Sequence, residues 1–159
     1  MGYYAGIGSR ETPVEVKNKI KKIVEHLNTK GYTLRSGGAN GADSFFEEYA
    51  VKKEIFLPWY GFNGNQSKLA NPTSESFKVA EKYHPNWKKL SLGAKKLMAR
   101  NCHQVLGEDL KTPVQFVICW TKDGKATGGT GQALRIAEDL KIPIYNLYND
   151  DTLDKILEI

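Results

Sequence analysis

Three short stretches combine glycine with hydroxyl, amide and guanidinium side chains: Gly6-Ile7-Gly8-Ser9-Arg10, Ser36-Gly37-Gly38-Ala39-Asn40-Gly41 and Gly128-Gly129-Thr130-Gly131-Gln132. Glycine removes the Cβ where a backbone must turn sharply or approach another group closely. When such a turn also opens a helix, its free N–H groups and the positive helix end converge on one point, which suits an anion. Ser9, Ser36, Asn40 and Thr130 add short polar groups, and Arg10 carries a fork that matches phosphate oxygens. Thr130 and Gln132 stand near a helix start, where they supplement the backbone donors. A plain strand-to-helix bend explains any one of these turns. Three of them together point to a phosphate or nucleotide pocket built from Gly8, Ser9, Arg10, Ser36, Gly37, Gly38, Asn40, Gly41, Gly128, Gly129, Thr130, Gly131 and Gln132.

Asp43 and Glu47 lie one helical turn apart on the helix that leaves the second glycine stretch, so they share a face. Two readings stand for them: ribose recognition or general acid/base work, against charge complementarity at a helix start for Asp43 and a solvated position for Glu47. Trp59 follows a strand end, where an aromatic ring can stack on a base or pack on the rim. Arg100 and Asn101 stand on a helical pattern whose apolar positions are Leu90, Leu97, Met98, Val105 and Leu106, and so border the pocket. His84, in His84-Pro85-Asn86-Trp87, is a further rim candidate, although a plain turn histidine fits better. The chain contains no GxSxG nucleophile elbow, no HExxH and no GxxxxGK[ST] phosphate loop. Glu11 occupies the third glycine position of a GxGxxG fingerprint, so hydride chemistry with a nicotinamide cofactor is unsupported.

The elements that must position these groups alternate. Tyr3 to Gly8 reads as a buried strand. Thr12 is a candidate N-cap with Pro13 at the first helical position, and Val16, Ile20, Ile23, Val24 and Leu27 recur at helical spacing up to Gly31. A strand over 32–34, a helix over 42–53 and a strand over 54–57 follow. The stretch 59–72, rich in Gly, Asn and Ser, reads as a long loop, with helical stretches at 73–83 and 87–107 behind it. The run 113–120 is the most apolar in the chain and predicts a central strand. A helix over 133–141, a strand over 142–147 and a short terminal helix over 151–159 complete the order. Strand–helix alternation of this kind implies an α/β fold, a three-layer Rossmann-like parallel sheet with right-handed crossovers. With a strand order of about 3-2-1-4-5 and a helical insert (about 59–107) between the third and fourth strands, all glycine turns fall at strand carboxyl ends. The crevice then opens between the first and fourth strands.

The 159 residues suffice for one domain, 1–159, with a proper core. A formal net charge of +5 favours polyanionic partners, though most of the scattered lysines read as a solvated face. Cys102 and Cys119 lack CxxC spacing, which argues for a reducing compartment and against a zinc site. Neither a signal peptide nor an apolar run of membrane length is present, and the expected location is cytoplasmic, without a membrane partner. No cofactor and no metal are called for.

The series Ala5-Gly6-Ile7-Gly8-Ser9-Arg10, Ser36-Gly37-Gly38-Ala39-Asn40-Gly41-Ala42-Asp43 and Gly128-Gly129-Thr130-Gly131 resembles the SLOG superfamily of Rossmann-like nucleotide-binding proteins. Its first two motifs are most similar to the DprA/Smf group, where one strand ends in G-S-R and a later one reads S-G-x-A-x-G-x-D. The resemblance implies a nucleotide-ligand pocket and, as in DprA, a basic surface for single-stranded DNA. The more distant LOG phosphoribohydrolases carry P-G-G-x-G-T-x-x-E. Here Thr127, Gln132 and Arg135 replace its proline, threonine and glutamate, and the missing carboxylate weighs against LOG-type hydrolysis. A free-standing unit of this kind suits a phage or mobile element.

Three functions follow. The first is binding of a phosphate-bearing nucleotide, whether a mononucleotide, an ADP-ribose-type or a cyclic nucleotide signal, with Asp43 toward the ribose. The second is single-stranded DNA binding as a DprA-like recombination mediator. The third is a nucleotide hydrolase, cutting an N-glycosidic or phosphodiester bond with Asp43 or Glu47. A homodimer is an expectation by analogy with other Rossmann-like proteins of this size.

Overall fold

A computed structural model describes residues 2–159. Five parallel strands, β1 (Tyr3–Gly8), β2 (Thr33–Ser36), β3 (Lys53–Ile55), β4 (Phe116–Trp120) and β5 (Ile144–Asn146), form one sheet in the order β3-β2-β1-β4-β5. The expected α/β class and strand order are therefore observed. The period-2 alternation of the two central strands serves both faces, because both are covered. Tyr4, Phe116 and Ile118 enter one core, with α1 (Val14–Thr29), α2 (Ala42–Tyr49) and α6 (Thr152–Leu157) on that side. Ala5, Ile7, Val117 and Cys119 enter the other, beneath α4 (Leu92–Leu106) and α5 (Thr130–Asp139). The remaining helix, α3 (Ser74–Tyr83), packs on α4 and α5. No helix among the described residues is long and apolar enough to cross a membrane.

Several boundaries differ from the sequence expectation for local reasons. Pro13, not Thr12, takes the N-cap position of α1 without a side-chain cap; Thr12 instead donates its hydroxyl to the Ser9 carbonyl at 2.6 Å. Helix α2 stops at Tyr49, because Ala50 turns to an extended backbone that feeds β3. The loop 59–72 is a tied-down strap. Its end bridges Leu57 to Ala70, and a single 3₁₀ turn stands at Phe62–Gly64. Three contacts hold it: Asn63 Nδ2 donates to the Gly38 carbonyl at 3.1 Å, Ser67 Oγ to the Ile55 carbonyl at 2.6 Å, and Asn65 Nδ2 to the Glu47 carboxylate at 3.0 Å. Helix α4, which the sequence assigns to an insert, covers the sheet beside α5 within the β3-to-β4 connection.

Candidate functional site

A cleft of about 1190 Å³ opens at the carboxyl ends of β1 and β4, between the first and third glycine turns. The Ser9 carbonyl ties its near wall together. It accepts from the amides of Thr12 at 3.2 Å and Ala42 at 3.3 Å, so the starts of α1 and α2 hang from one oxygen. Ser9 N–H donates to the Trp120 carbonyl at 3.1 Å, locking the turn onto β4. That amide is consequently spent on the fold, while the Ser9 hydroxyl accepts from Glu11 N–H at 3.0 Å at the cleft edge. Arg10 and Lys122 are exposed at the mouth, where Glu11, 3.9 Å from Lys122 Nζ, and Asp123 also line the cleft. Gly41, at φ 81°, permits the tight join: a Cβ there would stand 2.4 Å from the Ser9 carbonyl oxygen and 2.7 Å from that of Arg10.

The third turn forms the far wall. Gly128, Gly129 and Thr130 line the cleft at the start of α5, whose dipole favours an anion, although the amides of Gly131 and Gln132 already donate to the Thr127 and Gly129 carbonyls at 3.0 and 3.2 Å. Asn101 on α4 holds this turn, donating from Nδ2 to the Gly129 carbonyl at 2.9 Å. Its Oδ1 accepts from Arg100 Nε at 2.8 Å. Trp59, exposed on the strap, and Phe62 meet edge to face with centroids 5.3 Å apart; with Leu97 and Met98 they make an apolar wall.

Asp43 and Arg100 occupy the deep end. Asp43 projects from the first turn of α2 and accepts from Ala39 N–H at 3.3 Å, with the Gly8 backbone beside it. Burial raises its carboxyl from the ordinary 3.8 to about 6, against the lowering influence of Arg100 and the backbone at Ala39 and Gly8. Arg100 donates Nη1 to the carbonyls of Gly37 and, at 3.3 Å, Phe56. Desolvation lowers its guanidinium to about 10, partly offset by Asp43. Arg100 is thus part of the floor, where the sequence reading put it on the rim.

Other expected site residues lie elsewhere. Ser36 is fully buried and donates its hydroxyl to the Gly6 carbonyl at 2.6 Å, stitching β2 to β1. Gln132 is fully buried between helices, donating to the Ala80 carbonyl at 2.9 Å and accepting from Arg135 at 2.9 Å. Gly131 sits behind the lining because a Cβ there would meet the Ala126 carbonyl at 2.7 Å. Asn40 is exposed outside the cleft, and Gly38 faces Leu57. Glu47 is turned to Asn65 in the strap, so the Asp43–Glu47 carboxylate pair expected for acid/base work does not line the cleft together. His84 caps the end of α3, accepting Asn86 N–H on Nδ1 at 3.0 Å, as the turn-histidine reading had it.

Gln104, which no sequence motif singled out, also lines the floor. Its signal was position: Gln104 follows Arg100 by four residues and Asn101 by three, on a helix whose other stripe is apolar.

No protein-family model matches this chain, and no curated protein matches it. Among solved structures it is similar to DNA processing protein A from Helicobacter pylori, described for its single-stranded DNA binding mode. The TM-score is 0.62 at 19% identity, covering 98% of this chain and 71% of that one. The chain therefore has a Rossmann-like fold of the kind found in DNA processing protein A.

Proposed function

We propose that the cleft binds single-stranded DNA, holding phosphate at its polar wall and a base against its apolar wall. The observation that carries this reading is the mixed lining of the cleft. Arg10, Lys122 and the Gly128–Thr130 turn share one cleft with Trp59, Phe62, Leu97 and Met98, and Met98 stands directly against the Gly129 turn. A nucleotide chain needs that combination: charge and amide donors for the backbone, and an aromatic platform for the base. The fold shared with a protein described for single-stranded DNA binding supports the choice. The glycine series further supports a place in the SLOG superfamily.

A mononucleotide or nucleotide-derived signal is the second reading, favoured by the depth of the floor at Asp43, Arg100 and Gln104. Fluorescence anisotropy with an oligothymidine of about 15 nucleotides separates the two. The DNA reading expects affinity to fall roughly twentyfold between about 50 and 200 mM salt, as about three phosphate contacts release counterions. Negligible oligonucleotide binding beside salt-insensitive capture of a mononucleotide overturns it in favour of the second.

A further inference from the structure

Three buried polar side chains meet at the cleft floor, and their chemistry differs from that of a phosphate site. Asp43, Arg100 and Gln104 are 3%, 5% and 2% exposed. Their Oδ2, Nη1 and Nε2 atoms come within 2.8, 2.7 and 2.1 Å of the point where a Cβ on Gly37 would stand. Gly37 therefore serves the cleft by leaving that point empty for them. Among the described residues no carboxylate forms an ion pair with Arg100. Nor does the Gln104 carboxamide make a hydrogen bond to another described residue, although it lines the floor.

The charges of Asp43 and Arg100 oppose one another at this depth, so the floor exerts little net pull on an anion. The cleft's other cations, Arg10 and Lys122, lie elsewhere at the mouth beside Glu11 and Asp123, and the start of α5 adds its dipole. What the floor offers is a carboxylate acceptor beside guanidinium and carboxamide donors. Desolvated groups of this kind cost free energy when left unmatched, so a good occupant carries complementary donors and acceptors with no net charge. The Trp59 and Phe62 rings lining the cleft offer an aromatic face on which a flat occupant can stack.

Building on the DNA-binding reading above, we propose that this floor is a base-reading subsite selective for guanine. The Asp43 carboxylate accepts from the guanine N1–H and 2-amino group, and Arg100 or Gln104 donates to O6. The Ala39 amide already bonds to Asp43, and a carboxylate with about four lone-pair sites has room for two more N–H groups. Guanine presents two adjacent donors followed by an acceptor on one edge. Adenine turns its N1 lone pair toward the carboxylate, thymine flanks N3–H with two carbonyls, and cytosine sets N3 beside its single amino group. Each of these places an acceptor against an acceptor.

The test uses the full chain at about pH 8, where Asp43 is ionised. Labelled oligothymidines carrying one central guanine, adenine, cytosine or hypoxanthine are titrated by anisotropy, and GMP and AMP by calorimetry. Guanine is expected to bind about tenfold tighter than adenine or cytosine. Hypoxanthine, which lacks the 2-amino group, is expected to lose about fivefold relative to guanine. Asp43→Asn should bring the guanine-to-adenine ratio toward one, whereas Trp59→Ala should weaken every oligonucleotide together. The hypoxanthine comparison needs no variant and stands even if Asp43→Asn fails to fold. Equal affinity for all four central bases overturns the subsite and leaves DNA binding intact. Preference for GMP without oligonucleotide binding supports the subsite and overturns the DNA reading. Failure to bind any oligonucleotide or mononucleotide overturns both.

Discussion

Replacing Asp43 by asparagine should stabilise the protein near pH 8 while impairing the cleft. Asparagine keeps the shape of the protonated acid and one carbonyl oxygen for the Ala39 amide, but it carries no charge. In the wild type the carboxyl rises from 3.8 to about 6 because the ionised form is desolvated. At about 1.4 kcal/mol per tenfold, that interval corresponds to about 3 kcal/mol. The sign follows from proton binding: between pH 3.8 and about 6 the native state holds the proton more tightly than the unfolded chain. Stability contributed by this group is therefore full below the unfolded value and is lost as pH rises through the folded one. Asparagine does not titrate, so the variant should exceed wild type by about 3 kcal/mol at pH 8, and by about 1 kcal/mol at pH 4.5. Other titrating groups are common to both proteins and cancel in the difference. Urea denaturation at the two pH values measures both gaps, and thermal melts should show a rise of roughly 6–10 °C at the higher pH. Equal stabilities at pH 8, or a gap that does not narrow in acid, would refute the claim that Asp43 is a desolvated carboxylate held against its preference.

Two further substitutions separate floor from scaffold. Gly37→Ala puts a methyl group where the Gln104, Arg100 and Asp43 tips converge. All three are side-chain ends, so stability should fall by only about 1–2 kcal/mol, while oligonucleotide affinity, read by anisotropy, drops more than tenfold because the floor must rearrange. Asn101→Leu removes the tie from α4 to the Gly129 carbonyl. Hydrogen exchange over 127–131 should accelerate while exchange in β1 and β4 is unchanged; unaltered exchange in the turn would mean that Asn101 does not hold it.

The sheet was legible because its signals are local and redundant. Apolar strands, glycine turns and helical spacing recur in alternation, and a parallel order then confines all three turns to one edge. Which side chain faced the cleft was harder to read, because the same residue types serve the backbone. Ser36 and Gln132 have the chemistry of ligand donors but are consumed by buried carbonyls at Gly6 and Ala80. Nothing local distinguishes a serine that stitches two strands from one that meets a phosphate. Glu47 failed for a long-range reason. The strap that captures it begins some dozen residues later and has no periodicity to announce its path. Gln104 was legible in principle, but only after α4 was known to lie against the sheet.

That placement of α4 bears on how one fold accommodates different ligands. The glycine turns are fixed by backbone geometry: Gly41 must lack a Cβ for Ser9 to approach, and Gly131 must lack one for Ala126. Such positions serve the backbone and do not specify what is bound. On α4, by contrast, Leu97, Arg100, Asn101 and Gln104 project toward the cleft at spacings of three and four while Ala99, Cys102 and Val105 fill the core behind them. Exchanging the first set alters charge and hydrogen-bonding pattern without touching the second. On the reading proposed above, the glycine-turn edge is where a phosphate chain would lie and the crossover helix would choose the neutral group that the floor accepts. On that reading, exchanging the uncharged Gln104 on α4, which does not hold the start of α5, should alter base preference and leave the salt slope alone, because the salt slope is set at Arg10, Lys122 and the start of α5.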